Sequence, residues 1–208
     1  MKAFIFDLDG VIVFTDRYHY QAWKALADDL QIPFDETVND RLRGVGRMES
    51  LDIILEKADK TYSQEEKAAF AERKNNIYKE LLKQMQPSDV SDEVRKTLEE
   101  LRKGGHRLAI GSSSKNTKFI LKQVGITDYF DAISDGTNIT RSKPDPEVFL
   151  KAAEFLGEEP DNCIVVEDAK AGIDAAKAAG IMAVGIGDAA GYDKTDVAIT
   201  SFSQLLDI

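Results

Sequence analysis

From about residue 91 to residue 208, short apolar runs alternate with segments of helical periodicity, and this alternation constrains the fold more than any other feature. Glycines of the kind that end helices follow four of the helical segments. Continuous apolar strands separated by helices form a parallel sheet that is covered on both faces. The pattern predicts helices at 94–102, 115–124, 147–156 and 171–179, and strands at 108–110, 132–133, 164–166, 184–186 and 197–199.

An apolar run over residues 4–6 leads directly into Asp7, Asp9 and Gly10. Two carboxylates one residue apart repel each other and resist losing their water, so a buried strand end tolerates them only when they share a cation or a proton. A divalent metal is the natural cation. The alternative interpretation is an ordinary exit from a strand into a turn, where Asp and Gly are common because they suit turns.

Residues 15–84 break the alternation, because they show helical periodicity and no strand-like pattern. The block follows the first strand and its turn and precedes the next helix and strand of the sheet, so it is inserted into the sheet domain. The sequence therefore predicts an α/β fold with a Rossmann-like doubly wound parallel sheet core, residues 1–14 and 85–208, and an inserted all-helical cap domain, residues 15–84.

A long polar helix is predicted near the end of this block. Ser63 and Glu66 form a capping-box pattern ahead of it. Its apolar positions are expected at Phe70, Ile77, Leu81 and Leu82. Two further helical stretches are indicated by the apolar spacing within residues 22–30 and 51–58.

The composition excludes several classes of partner. With 27 basic and 37 acidic residues the formal charge is −10, which repels polyanions and argues against a nucleic-acid partner. No segment approaches the roughly 18 consecutive apolar residues of a membrane span, and no signal-peptide pattern is present. The only cysteine, Cys163, heads an apolar run and is predicted to be a buried hydrophobic residue. We expect a monomer in the cytoplasm that acts on a small molecule.

Polar residues follow the predicted strands at the sheet edge where doubly wound folds bind ligands. Each segment alone has an ordinary explanation: a serine cluster caps a helix, a lysine before proline lies in a solvated turn, and acidic residues suit a first helical turn. Together they supply carboxylates for a hard cation, hydroxyl and amide donors for an anion, and one ammonium group, as phosphoryl transfer requires. These segments are Asp7 with Asp9, Ser112–Asn116, Ser142–Pro144 and Glu167 with Asp168.

The order of these groups predicts their chemical roles. Asp7 is the first residue to leave the strand and is the predicted nucleophile, which would form an acyl phosphate. Asp9 lies further into the turn and is the predicted general acid and base. Mg²⁺ is the predicted cofactor, because it prefers oxygen ligands and suits two or three carboxylates together with a phosphate oxygen. Lys143 would help to offset the repulsion between Asp7 and the phosphate.

These motifs resemble the four sequence motifs of the haloacid dehalogenase superfamily of phosphotransferases. More narrowly, the chain resembles the β-phosphoglucomutase family within residues 18–27, 43–47, 72–75 and 112–116. The resemblance implies a Mg²⁺-dependent exchange of β-glucose 1-phosphate and glucose 6-phosphate through β-glucose 1,6-bisphosphate. A Mg²⁺-dependent sugar-phosphate phosphatase of the same superfamily is the alternative. A catalytically silent binding module is a third possibility, against which the intact acidic residues argue.

The resemblance also implies residue roles, carried over position by position. The implied catalytic residues are Asp7, Asp9, Thr15, His19, Ser112 and Lys143. The implied metal ligands are Asp7, Asp9 through its backbone carbonyl, Glu167 and Asp168. The implied substrate-binding residues are Asp9, Gly44, Val45, Arg47, Lys74, Ser112, Ser113, Ser114, Lys115 and Asn116.

A mutase needs one feature that a phosphatase does not. It must exclude water while a sugar turns between two phosphate sites, so it requires a second anion clamp. Arg47 is the best candidate, because guanidinium grips phosphate bidentately; the alternative is a plain surface arginine. Three positions depart from the family pattern: Phe14 stands where relatives commonly have aspartate, and Gly46 and Ala169 stand where serine is frequent.

Overall fold

The computed structural model describes residues 1–42 and 46–208, and the chain divides into two compact units. One unit comprises Met1–Phe14 and Gln86–Ile208, and the other comprises Thr15–Met85. Within the described residues, all regular elements of the second unit are helices. Its apolar cluster includes Trp23 and Phe34, whereas strand residues form much of a cluster in the first unit.

The first unit is built on a six-stranded sheet in which all paired strands are parallel, in the order β3-β2-β1-β4-β5-β6. Phe4 pairs with Leu108 on one side and with Ile164 on the other. The predicted doubly wound sheet is confirmed, and its strand order reverses direction between β1 and β4. The strands are β1 Ala3–Phe6, β2 Arg107–Gly111, β3 Ala132–Ser134, β4 Cys163–Glu167, β5 Met182–Gly185 and β6 Val197–Ala198.

Eight α-helices lie within the described residues. Four belong to the second unit: α1 Asp16–Asp29, α2 Glu36–Asp40, α3 Arg47–Leu55 and α4 Gln64–Leu82. Four belong to the first: α5 Asp92–Lys103, α6 Thr117–Gln123, α7 Glu147–Leu156 and α8 Lys170–Ala178.

The predicted helix at 147–156 is confirmed at both ends, and Gly157 closes it in the left-handed conformation with φ 68°. The helix predicted around residues 115–124 is confirmed as α6, Thr117–Gln123, which begins two residues later than the pattern indicates. Ser114 and Asn116 remain in the preceding loop, where the Ser114 hydroxyl oxygen accepts the Asn116 amide at 3.2 Å. A serine that bonds a nearby amide competes with helix formation at that point.

Helix α4 begins where the sequence predicts. The Ser63 hydroxyl accepts the Glu66 amide at 3.2 Å, and the Glu66 carboxylate accepts the Ser63 amide at 2.7 Å, so the capping box is confirmed. Of the expected apolar positions, Leu82 is buried, whereas Phe70, Ile77 and Leu81 are only partly buried. The buried stripe, spaced three, four and four residues apart, is Ala71, Lys74, Tyr78 and Leu82.

Helix α2 has no counterpart among the sequence predictions. Asp35 caps it by accepting the Val38 amide at 3.0 Å, and Val38 is its only buried residue. Five residues with one buried apolar side chain are too short to produce a helical period.

Cys163 lies at the start of β4 with 1% of its surface exposed, and burial raises the pKa of its thiol to about 11. A thiol with a raised pKa is a poor nucleophile, so the prediction of a buried structural cysteine is confirmed. Across residues 1–42 and 46–208, the structure has no helix with the length and apolar character needed to cross a bilayer.

Candidate active site

Asp7 leaves β1 at the point where the strand order reverses. Its backbone amide donates to the Val166 carbonyl of β4 at 2.9 Å, which extends the sheet pairing by one residue. The next residues fold back tightly, because the Val13 amide donates to the Leu8 carbonyl at 3.0 Å and the Gly10 amide donates to the Val13 carbonyl at 2.7 Å. The Asp7 residue is only 8% exposed, so its carboxylate is held in the sheet edge rather than in solvent.

Gly10 makes room for a second carboxylate. Its φ is 87°, and a Cβ there would lie 2.0 Å from Oδ2 of Asp168. Both the positive φ and the close approach require glycine. The turn after β1 therefore packs directly against the acidic residue that follows β4.

Asp7, Glu167 and Asp168 each place a carboxylate oxygen within 4.8 Å of the others. Burial, and then the charges of Asp7, Glu167 and Asp9, raise the pKa of Asp168 to about 8. Burial also raises the pKa of Glu167, with Lys143 acting in the opposite direction. Three carboxylates this close repel one another, so their ionised forms need positive charge nearby.

Lys143 supplies one cation to this cluster. Its Nζ lies 2.5 Å from Oδ1 of Asp7 and 2.5 Å from Oε1 of Glu167, and it sits 4.7 Å from the centre of the Phe149 ring. Burial alone would lower the pKa of Lys143, but the charges of Asp7 and Glu167 outweigh it and raise the pKa. The side chain is therefore a buried ammonium group that bridges two carboxylates. The Lys143–Pro144 bond is cis.

The donor set of the cluster fits Mg²⁺. All three candidate ligands are carboxylates, which this hard cation prefers. The raised pKa of Asp168 indicates that Lys143 alone does not balance the acidic charge, and a divalent ion would favour the ionised form. Asp9 is not among these three groups, and its part as a ligand stays a prediction.

The loop after β2 presents hydroxyl groups at the same edge of the sheet. Ser112 is 4% exposed, and its Oγ accepts the Ser114 amide at 3.2 Å. Because the oxygen accepts, the hydroxyl hydrogen can be donated to an anion. The amide of Lys143 donates to the Ser113 hydroxyl at 3.4 Å, which ties this loop to the lysine loop. Asn116 is buried, whereas Lys115 is exposed.

A turn over residues 134–138 supports this loop, and sequence reasoning missed it. The Gly136 amide donates to the Ser114 carbonyl at 3.1 Å, and a Cβ at Gly136 would lie 2.4 Å from the Ser113 carbonyl oxygen. Asp135 is fully buried, and its Oδ1 accepts the Thr137 amide at 2.9 Å. The Asp-Gly-Thr-Asn sequence of this turn was the available signal.

The helical unit holds a second group of predicted site residues. Lys74 Nζ lies 2.8 Å from Nδ1 of His19, and the His19 ring stacks on Tyr78 with centroids 4.1 Å apart. The Tyr78 hydroxyl donates to Oγ1 of Thr15 at 2.9 Å. Lys74 is 2% exposed and lies 4.6 Å from the centre of the Trp23 ring, so aromatic faces surround its charge. Tyr78 was missed, although it lies one helical turn after Lys74.

Positive charge dominates this group. Burial lowers the pKa of His19 well below 6.5, and the charges of Lys74 and Arg47 lower it further. His19 is therefore a neutral imidazole whose Nδ1 accepts from the Lys74 ammonium. Burial also lowers the pKa of Arg47, the first residue of α3. The helical unit thus brings two cationic side chains near one neutral ring.

The remaining predicted positions vary in their surroundings. Gly44 and Val45 lie outside the described residues. Gly46 precedes α3 in an extended conformation. Phe14, the last residue of the segment Met1–Phe14, is 69% exposed. Ala169 precedes α8, and its amide donates to Oε2 of Glu167 at 3.0 Å.

The family model for haloacid dehalogenase-like hydrolases matches residues 1–180. The chain belongs to this family. Its carboxylate pair after β1, its serine after β2, its lysine and its acidic pair after β4 are the four motifs that the sequence predicts for this family.

The chain is similar both to a mutase and to a phosphatase. The chain is 42% identical to a β-phosphoglucomutase of Bacillus subtilis over 99% of its own length and 92% of that protein. It is 33% identical to a phosphorylated carbohydrates phosphatase of Thermotoga maritima, over 87% of this chain and 82% of that one. The crystal structure of a β-phosphoglucomutase from Clostridium difficile matches with a TM-score of 0.89 at 41% identity, covering 99% and 93% of the two chains.

Proposed function

We propose that this protein is a β-phosphoglucomutase, which interconverts β-glucose 1-phosphate and glucose 6-phosphate through a phosphorylated Asp7. The observation that carries the proposal is the pairing of the buried Asp7 carboxylate with the Lys143 ammonium at 2.5 Å. A buried carboxylate at a strand end, next to a fixed cation, is suited to attack an anionic phosphorus. The full-length similarity to two β-phosphoglucomutases supports the choice of reaction within the family.

The first step begins with phosphorylated Asp7 and β-glucose 1-phosphate. The sugar 6-hydroxyl oxygen attacks phosphorus, the bond between phosphorus and the Asp7 oxygen breaks, and the hydroxyl proton passes to the Asp9 carboxylate. The products are free Asp7, protonated Asp9 and β-glucose 1,6-bisphosphate. Asp9 acts here as a general base.

The second step follows after the sugar has turned end for end. The Asp7 carboxylate attacks the phosphorus at position 1, and the bond between that phosphorus and the anomeric oxygen breaks. Asp9 returns its proton to the anomeric oxygen, which releases glucose 6-phosphate and restores phosphorylated Asp7. Covalent catalysis thus divides one transfer into two displacements at the same aspartate.

Several residues hold charge during both steps. Lys143 and the Ser112 hydroxyl bind the transferring phosphoryl group in this proposal. Asp7, Glu167, Asp168 and the Asp9 backbone carbonyl would hold Mg²⁺, which would neutralise part of the phosphoryl charge when bound.

The second phosphate needs its own site, and the helical unit carries suitable cations. We assign this role to Arg47 and Lys74. In the same unit His19 contacts Lys74 and Thr15 contacts Tyr78, and we assign both a supporting catalytic role. The loop after β2 contributes as well. The remaining members of the proposed substrate site are Gly44, Val45, Ser113, Ser114, Lys115 and Asn116.

A sugar-phosphate phosphatase is the second candidate, because the chain is 33% identical to the Thermotoga maritima phosphatase. The two activities differ in what accepts the phosphoryl group from Asp7. A phosphatase uses water, whereas a mutase uses the sugar hydroxyl and keeps water away.

A single-turnover experiment separates them. The enzyme is phosphorylated with ³²P-labelled β-glucose 1,6-bisphosphate and freed of sugar, and the loss of label is followed in buffer alone and with glucose 6-phosphate. We expect the sugar to remove the label at least about 100-fold faster than water, which corresponds to a barrier difference of about 2.7 kcal/mol. Equal rates would overturn the mutase assignment. Asp7→Asn is the control and should retain no label.

A further inference from the structure

We infer that Gly172 is a positioning residue, because its missing side chain leaves the space that the Glu167 carboxylate occupies beside Lys143. Nothing in the four family motifs of the chain assigns a part to this glycine. The inference rests on the proposed function only in placing Glu167 and Lys143 in the phosphoryl-transfer site, and it concerns metal binding and phosphorylation of Asp7 rather than the sugar.

Gly172 has no room for a side chain. A Cβ there would lie 1.9 Å from both Cδ and Oε1 of Glu167 and 2.5 Å from its Cγ. These distances are far below van der Waals contact, so the whole end of the Glu167 side chain occupies the place of the missing methyl group. Gly172 is the third residue of α8, and Glu167, 1% exposed, lies beneath the first turn of that helix.

Glu167 cannot move aside without losing its contacts. Its Oε1 accepts from the Lys143 ammonium at 2.5 Å, and its Oε2 accepts from the Ala169 amide at 3.0 Å. A methyl group at position 172 would displace the carboxylate and break at least one of these bonds. The Lys143 ammonium also contacts Asp7, so its position would shift relative to the predicted nucleophile.

The usual reasons for glycine do not apply at this position. Gly172 has no positive φ and lies inside a regular helix, where alanine is the more favourable residue. If helix stability were the only consideration, Gly172→Ala would stabilise the protein. Any loss of stability or activity in Gly172→Ala therefore comes from the clash of the new methyl group with the Glu167 carboxylate.

The test measures Mg²⁺ binding by calorimetry and phosphorylation of Asp7 by acetyl phosphate, neither of which involves a sugar. Gly172→Ala should weaken Mg²⁺ binding and slow phosphorylation by about 10- to 100-fold, as loss of supporting contacts around a metal site does. Gly191→Ala is the matched control, because a Cβ there meets nothing within 4 Å. It should leave both measurements unchanged.

A rescue variant separates positioning from general damage. Glu167→Ala removes all three atoms that a methyl group at position 172 would meet, so Gly172→Ala should slow phosphorylation much less in the Glu167→Ala background than in the wild type. Glu167→Ala by itself should be slower than the wild type, since the carboxylate beside Lys143 is lost. If Gly172→Ala alone failed to fold, a folded double variant would still support the inference.

Two results would overturn the inference. One is a Gly172→Ala protein that binds Mg²⁺ and phosphorylates like the wild type. The other is a Gly172→Ala substitution that slows phosphorylation, or prevents folding, as much in the Glu167→Ala background as in the wild type. Failure of the mutase proposal gives a different result, because the wild type would then hydrolyse its phosphoenzyme while the Gly172 variants still differed as expected.

Discussion

The Lys143 ammonium lies 2.5 Å from an oxygen of Asp7 and equally close to an oxygen of Glu167. Lys143 reaches this position from the loop before α7, whereas the two carboxylates follow β1 and β4. The cation therefore joins the two sides of the point where the strand order reverses. A phosphate that approached Asp7 would meet a cation already fixed in place, which reduces the repulsion between two anions.

Replacing Lys143 should destabilise the fold as well as slow the reaction. Lys143→Ala would leave buried acidic groups without their partner, and removing one member of a buried ion pair typically costs about 3 to 5 kcal/mol. Urea unfolding without metal measures this loss. Lys103→Ala removes an exposed lysine that pairs with Glu100, so it should leave the free energy of unfolding nearly unchanged. Equal stabilities of the two variants would contradict the buried ion pair.

Asp9→Asn should separate proton transfer from nucleophilic attack. The variant keeps Asp7 and its lysine partner but cannot move a proton to or from the sugar oxygen. Rapid-quench kinetics should show phosphoryl transfer with the sugar slowed by about 10²- to 10⁴-fold, the range typical of a lost general acid or base. Phosphorylation by acetyl phosphate, whose leaving group needs little protonation, should fall much less. A similar loss with both donors would argue against Asp9 as the acid and base.

Arg47→Ala should affect only reactions in which a sugar phosphate occupies the second phosphate site. The KM for β-glucose 1-phosphate should rise at least about 10-fold, because a bidentate guanidinium contact to its phosphate is lost. Phosphorylation of Asp7 by acetyl phosphate should stay within about twofold of wild type, since acetyl phosphate carries no phosphate besides the one it transfers. Arg41→Ala, which removes an exposed arginine paired with Glu56, is the matched control. A parallel loss in both reactions would show that Arg47 acts at the transferring group instead.

His19 should make the protein less stable as the pH falls below 6.5. Its pKa in the folded protein is lowered, first by burial and then by Lys74 and Arg47, so the unfolded chain takes up the proton first. The unfolded state then binds more protons, and stability falls by up to about 1.4 kcal/mol per pH unit.

His19→Asn provides the comparison, because its side-chain oxygen can still accept from Lys74. The difference in unfolding free energy between wild type and this variant should shrink steadily from pH 7.5 to pH 5.5. A difference that does not change with pH would show that His19 titrates alike in the folded and unfolded states.

The carboxylate cluster was accessible from the sequence for a simple reason. Asp7 and Asp168 follow strands that pair side by side, and parallel strands end at the same edge of a sheet. Strand identity and direction were therefore enough to predict that these groups meet. The helix at 147–156 could be predicted equally well, because the end of its apolar periodicity coincides with Gly157, which ends the helix.

The position of Lys143 within the cluster was not accessible in the same way. The lysine lies on a loop without regular structure, and its place between Asp7 and Glu167 depends on contacts such as that of its amide with Ser113. Sequence spacing carries no information on such contacts. Gly172 was missed for a related reason, because a glycine inside a helical pattern reveals nothing of the side chain packed against it.

The buried face of α4 shows a limit of periodicity. The apolar pattern comprised Phe70, Ile77, Leu81 and Leu82, yet only Leu82 of these is buried. The other buried residues of the helix are Ala71, Lys74 and Tyr78. The Lys74 charge is accommodated by the rings of Trp23 and Tyr78 and by His19. A hydrophobic pattern cannot predict a buried cation when partners such as Trp23 and His19 lie on another helix, α1.

The most direct test of the account locates the phosphoryl group itself. The enzyme is mixed with Mg²⁺ and β-glucose 1,6-bisphosphate, quenched in acid within milliseconds, digested and sequenced by mass spectrometry. The account predicts one added phosphoryl group on Asp7 in wild type and none in Asp7→Asn, which keeps the shape of the side chain and removes its charge. A phosphoryl group on any other residue, or full turnover by Asp7→Asn, would contradict it.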